Sequence, residues 1–205
     1  MSFNNQITYT PATASTTFFA ASVTGATFTL TNTATTDGLA HKVTVLNNTA
    51  TDHSGKTLTF TGTDQDGKAA SETIAAPGSS ATVTTTKNYL TLTSVTVSAT
   101  IGADTFSIGF NNTFICPTIP CNWRGGIASL NVGVTGTINY GIEQTFDDIQ
   151  TKTTAFVWVV NNAGETGQTG KLQIVLQALP KAYRLNVASY SASATITVSF
   201  VQRDK

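Results

Sequence analysis

Apolar and polar residues alternate along this chain in short runs, separated by clusters of Gly, Asp, Asn and Pro. Strict alternation places successive side chains on opposite faces of a pleated strand. Over the first half the pattern predicts strands near 6–10, 16–22, 26–32, 41–47, 56–62, 69–75, 81–86, 91–99 and 104–110. Thr57-Leu58-Thr59-Phe60-Thr61 is typical, with apolar side chains on one face and hydroxyls on the other. Turn signals lie between the runs, at Thr36-Asp37-Gly38, His53-Ser54-Gly55, Asp64-Gln65-Asp66-Gly67 and Pro77-Gly78. Asp66-Gly67 is a strong hairpin signal, because glycine tolerates the positive φ of the turn. Many short strands at this spacing predict a sandwich.

The alternation stops at 111–121, Asn-Asn-Thr-Phe-Ile-Cys-Pro-Thr-Ile-Pro-Cys. Proline fixes φ and removes a ladder donor, so this stretch reads as a stiff linker. Beyond it the runs lengthen, with strands predicted at 126–134, 136–144, 153–161, 171–178, 182–188 and 193–202. Residues 161–170 form a polar Gly-rich loop expected to be exposed, and only 145–152 has any helical character. The expected fold is all-β, with two β-sandwich domains of jelly-roll or Ig-like type. An N-terminal β-sandwich covers 1–111, a Pro- and Cys-containing linker 112–121, and a C-terminal sandwich or jelly roll 122–205. Residues 1–17 have no evident strand partner and are expected to form a docking arm.

Composition agrees with the pattern. About one residue in five is threonine, and β-branched side chains pack well on pleated sheets. Eleven basic residues are scattered and matched by eleven acids, so the clustered cations that phosphate binding needs are missing and no nucleic-acid partner is expected. The opening residues Met1-Ser-Phe-Asn-Asn-Gln carry no basic-then-apolar signal, and no apolar run is long enough to span a bilayer. No membrane partner is expected.

Chemistry-bearing residues are few. Cys116 and Cys121 stand five apart with both histidines far upstream, which disfavours zinc; free thiols or a local disulfide remain as readings. Asp64-x-Asp66-Gly67 opens like a calcium loop but lacks the further ligands and closing Glu, so a hairpin turn is expected. Glu143, Asp147 and Asp148 form the one acidic cluster, read as a solvated loop or a partner salt bridge. No Gly-x-Ser-x-Gly elbow accompanies His41 or His53, and no enzymatic activity, metal or cofactor is expected. Trp123, Trp158, Tyr140, Tyr183 and Tyr190 could form a flat sugar-binding platform, although Trp158 lies within an apolar run and reads as core. Trp123 and Arg124, residue types enriched at interfaces, are candidate interface residues together with Phe3 and Tyr9.

In the first half, Thr36-Asp37-Gly38-Leu39-Ala40, Gly62-Thr63-Asp64-Gln65-Asp66-Gly67, Ser71-Glu72-Thr73-Ile74, Thr84-Thr85-Thr86-Lys87-Asn88-Tyr89, Ser94-Val95-Thr96-Val97 and Ile108-Gly109-Phe110 follow one another in order. The second half carries Val132 to Tyr140 (Val-Gly-Val-Thr-Gly-Thr-Ile-Asn-Tyr), Gln144-Thr145-Phe146-Asp147-Asp148, Pro180 to Val187 (Pro-Lys-Ala-Tyr-Arg-Leu-Asn-Val) and Val198-Ser199-Phe200-Val201-Gln202. In these stretches the chain resembles virion structural proteins of tailed bacteriophages, specifically capsid decoration and auxiliary head or head–tail proteins. The Cys-Pro segment and the Gly-rich loop match no part of that pattern. The resemblance implies a non-enzymatic virion component with no catalytic residues to transfer. It further implies the major capsid protein or other virion proteins as partners, a homo-oligomeric state, and residence in the virion. A tail, collar or fibre component, or a carbohydrate-binding adhesin-like module, is the competing expectation.

Overall fold

The computed structural model describes residues 2–121, 127–150, 156–160, 166–176 and 180–203. Every regular element among them is a strand, and the chain divides into two compact units, 12–114 and 1–11 with 115–205.

In the unit 12–114, strands are β2 (Ser15–Val23), β3 (Ala40–Asn47), β4 (Thr57–Thr63), β5 (Ala69–Ala75), β6 (Thr82–Tyr89), β7 (Thr91–Val97) and β8 (Phe106–Ile115). They form one layer in the order β2, β8, β3, β6 and a second in the order β5, β4, β7. The alternation read from the sequence is realised in β4, where Leu58 and Phe60 are buried and Thr57 and Thr61 exposed. Phe19, Val43, Val45, Leu58, Phe60, Tyr89, Val95, Phe106 and Phe110 make the core between the layers. The predicted run at 26–32 is not a strand. Gly25 turns it with φ of 84°, a single bridge joins Thr27 to Thr96, and Phe28 plugs into the core edge-on to Phe106.

The other unit begins at the start of the chain, not at residue 122. β1 (Ser2–Tyr9) pairs antiparallel with β15 (Thr195–Arg203) through eight consecutive residues, from Ser2 opposite Arg203 to Tyr9 opposite Ile196. The expectation of a free N-terminal arm is thus overturned by a strand partner almost 200 residues away, invisible to local pattern. β15 also pairs with β10 (Ile127–Thr135), and β10 with β13 (Leu172–Leu176). A second layer holds β9 (Ile119–Pro120), β11 (Ile138–Thr145), β12 (Val159–Val160) and β14 (Ala182–Tyr190). Leu130, Val132, Ile142, Leu185, Val198 and Phe200 fill the space between, and the Tyr183 and Phe200 rings meet at 5.1 Å.

The segment 112–121 is not a free spacer. β8 continues through Ile115, and Ile119–Pro120 pairs with Tyr183 and Ala182. Phe114, Ile115, Cys116 and Ile119 are buried. The prolines concealed this, because they break the alternation without removing the apolar side chains that anchor the segment.

Candidate functional site

Among the described residues, the histidines and carboxylates that the sequence singled out are tied into the fold. Asp37 accepts at Oδ2 from the Ala12 amide (2.6 Å) and pairs there with His41 Nε2 (2.9 Å), while Oδ1 accepts from the Leu39 amide (3.0 Å). His41 is fully buried, its ring 4.6 Å from that of Phe110. Burial raises the Asp37 carboxyl, but the hydrogen bonds from His41, Ala12 and Leu39, with the attraction of His41, outweigh it and hold the group below its usual value. A carboxyl so lowered stabilises the fold above its unfolded value, near 3.8, and the contribution is lost as pH falls through the folded one. Asp37→Ala strands buried donors, each worth about 1–3 kcal/mol. The urea midpoint is therefore expected to drop clearly at pH 7, and the gap to the wild type to narrow as pH falls below 3.8. An equal gap at both ends of that titration would contradict the role given to Asp37.

The second histidine makes a similar tie. His53 Nε2 pairs with Asp104 Oδ2 at 3.0 Å, and Lys56 Nζ donates to His53 Nδ1 at 3.0 Å and to the Thr100 carbonyl at 2.7 Å. A lysine donor at Nδ1 makes that nitrogen the acceptor and leaves the proton on Nε2, facing Asp104.

The carboxylates singled out from the sequence are equally occupied. Asp64 Oδ1 accepts from the Asp66 and Lys68 amides at 3.0 and 2.9 Å, with Gly67 at φ of 73°, so Asp64–Gly67 is the β4–β5 hairpin turn. Glu143 accepts from Arg184 Nε at 2.7 Å and Asn186 Nδ2 at 2.8 Å. Asp147 accepts from the Val157 amide at 2.6 Å and Asp148 from the Gln150 amide at 3.0 Å. Among the described residues no three or more His, Cys, Asp and Glu converge as a metal site would require.

Neither cysteine is in a disulfide. The Cys116 amide bonds the Leu185 carbonyl (3.1 Å) and the Cys121 amide the Lys181 carbonyl (2.9 Å). Those partners lie four residues apart on extended chain, about 13 Å at roughly 3.3 Å per residue. A disulfide needs Cα atoms within about 7 Å. Cys116 Sγ instead accepts from the Leu185 amide at 3.0 Å, and burial pushes the Cys121 thiol up to about 12.

The aromatic platform is dispersed. Tyr140, Tyr183 and Tyr190 are buried. Tyr140 serves as a core side chain whose hydroxyl donates to the Gly170 carbonyl at 2.8 Å. Trp158, expected in the core, is only half-buried, with the Arg184 guanidinium 4.1 Å over its ring. Of the run that suggested burial, Val159–Val160 lies at a sheet edge, and Val157, Val159 and Val160 stay exposed. Of the four candidate interface residues, Tyr9 is 9% exposed and hydrogen-bonded to Cys116, so it belongs to the core. Phe3 lies on β1 opposite Gln202. Trp123 and Arg124 fall outside the described residues.

Among the described residues, two uncharged sheet faces stand out that periodicity alone did not single out. The outward face of β5–β4–β7 carries the row Thr73, Thr59, Thr96 and the row Ser71, Thr61, Ser94, with Ala75 and Thr57 beyond. The Thr59 and Thr73 hydroxyls meet at 3.0 Å. The solvent face of β1–β15–β10–β13 carries Gln6, Ser199, Asn131 and Gln173.

No family model matches the chain. No curated protein matches it. Among solved structures, the crystal structure of the STIV MCP, a viral major capsid protein, is similar over 98% of this chain and 96% of that one, at 9% identity and a TM-score of 0.19. So faint a likeness carries no argument about function.

Proposed function

We propose that this protein is a non-enzymatic structural component of a tailed-phage virion, a capsid decoration or auxiliary head protein that binds neighbours through repeated protein–protein contacts. The observation that carries the reading is the outward face of β5–β4–β7. Every position in its two central rows is Thr or Ser, without a charge or a long side chain. Such a face lets a neighbour approach closely and loses little side-chain entropy when covered. Symmetric repetition then turns a modest contact into durable attachment. The resemblance of the chain's stretches to phage virion proteins supports the same reading, as does a net charge of zero, which leaves little repulsion between copies.

The test replaces Thr61, exposed at the centre of the face, with lysine. Thr61→Lys is expected to leave the thermal midpoint within a few degrees of the wild type and to reduce incorporation into virions at least tenfold, read by quantitative mass spectrometry of gradient-purified particles. Wild-type incorporation of the variant would remove this face from the contact, and absence of the wild-type chain from particles would overturn the assignment.

A further inference from the structure

The solvent face of β1–β15–β10–β13 holds a glycine that the fold does not need. Gly133 sits in the interior of β10, in unbroken register opposite Thr197 of β15. Its φ lies outside the left-handed region, and a Cβ added there would meet nothing within 4 Å. Glycine in a strand interior weakens the strand, and its usual reasons are a bulge, a tight bend or the close approach of a ligand or another backbone. The first two do not hold at Gly133.

The space left above it is a trough of about 490 Å³, within the range of small-ligand sites. Its walls are set by register. Gln6 stands opposite Ser199, Ser199 opposite Asn131, and Asn131 opposite Gln173, making one row straight across four strands. Among the described residues none of the three carboxamides has a side-chain hydrogen-bond partner. Lys171, at the rim, is the one charged residue in the lining. Carboxamides and hydroxyls both donate and accept. A ligand that meets such a wall must do the same at short intervals while carrying little charge of its own.

We propose that this trough binds a neutral oligosaccharide, whose ring seats over Gly133 and whose hydroxyls bond the Gln6–Ser199–Asn131–Gln173 row. The lining has no aromatic ring to stack on the sugar, so each site is weak and multiple copies supply the avidity. The proposal does not rest on the virion reading, because it concerns the purified chain alone.

The experiment multimerises the full-length protein on streptavidin and applies it to an array of neutral and acidic glycans. Retention on neutral glycans is expected. Asn131→Ala, which removes a hydrogen-bonding wall, and Gly133→Val, which fills the trough in open space, should each lower that signal at least tenfold with an unchanged thermal midpoint. Gln173→Ala gives a second wall variant should Asn131→Ala fold poorly. A blank array, retention on acidic glycans alone, or wild-type binding by the Gly133→Val protein would overturn the proposal. So would a blank array accompanied by self-association that Gly133→Val abolishes, which would assign the trough to a second copy.

Discussion

Gly109→Ala is expected to destabilise the unit 12–114 by roughly 3 kcal/mol or more, at the upper end of what overpacking costs. A Cβ at this position would lie 1.8 Å from the Ser15 carbonyl oxygen and 2.6 Å from Thr16 Cα. Both are backbone atoms of β2, which crosses β8 here with its register broken between Ser15 and Ala20. A side chain that meets a flexible neighbour can push it aside, but this one meets main chain held on either side by pairing to Phe110 and Ile108. Relief would require β2 to lift off the sheet and uncover Phe19, which is fully buried. Urea unfolding followed by circular dichroism measures the loss. Gly133→Ala, with open space around it, is the matched control and should lie within about 0.5 kcal/mol of the wild type. Superimposable curves for the two variants would show that the approach of β2 to Gly109 is not as close as described.

Removing residues 1–11 is expected to unfold the other unit, contrary to the docking-arm role that sequence alone suggests. Without β1, the whole of β15 becomes a sheet edge, and eight paired positions are lost together. The buried ring of Tyr9 goes with them, and losing a large core aromatic alone costs about 3–5 kcal/mol. A domain stable by about 5–15 kcal/mol has little left after such losses. In a nitrogen–proton correlation spectrum, the resonances of β10, β14 and β15 should collapse toward unfolded positions, and a synthetic peptide of residues 1–11 added in trans should restore them in part. A truncated chain that unfolds at the wild-type midpoint would return this segment to the status of a loose arm.

Strand pattern was readable because it is local. The alternation in Thr57–Thr63 and the hairpin glycine at 67 carry their own explanation in a few residues, and the structure places strands close to most predicted runs. What the sequence hid was long-range. Nothing near Gln6 says that Ser199 lies opposite it, and Gly109 in Ser-Ile-Gly-Phe resembles any strand residue until β2 is found on top of it. The segment 112–121 misled in the other direction, since its prolines signalled a spacer while Phe114, Cys116 and Ile119 were packing into the fold. Candidate chemistry followed the same division. The Asp64 turn was legible from spacing, but Asp104 beside His53 and Arg184 beside Glu143 and Trp158 come from register and packing. The Asn131 row across four strands exists only once the sheet is assembled.

The proposal that this chain works through surfaces repeated by symmetry, and not through a reaction, is tested most directly by a cryo-EM map of the purified virion. Density for both units in multiple equivalent copies, with the Thr59–Thr61 face of β5–β4–β7 seated against a neighbouring protein, is the predicted result. A particle without the chain, or one in which that face points into open solvent at every copy, would contradict it.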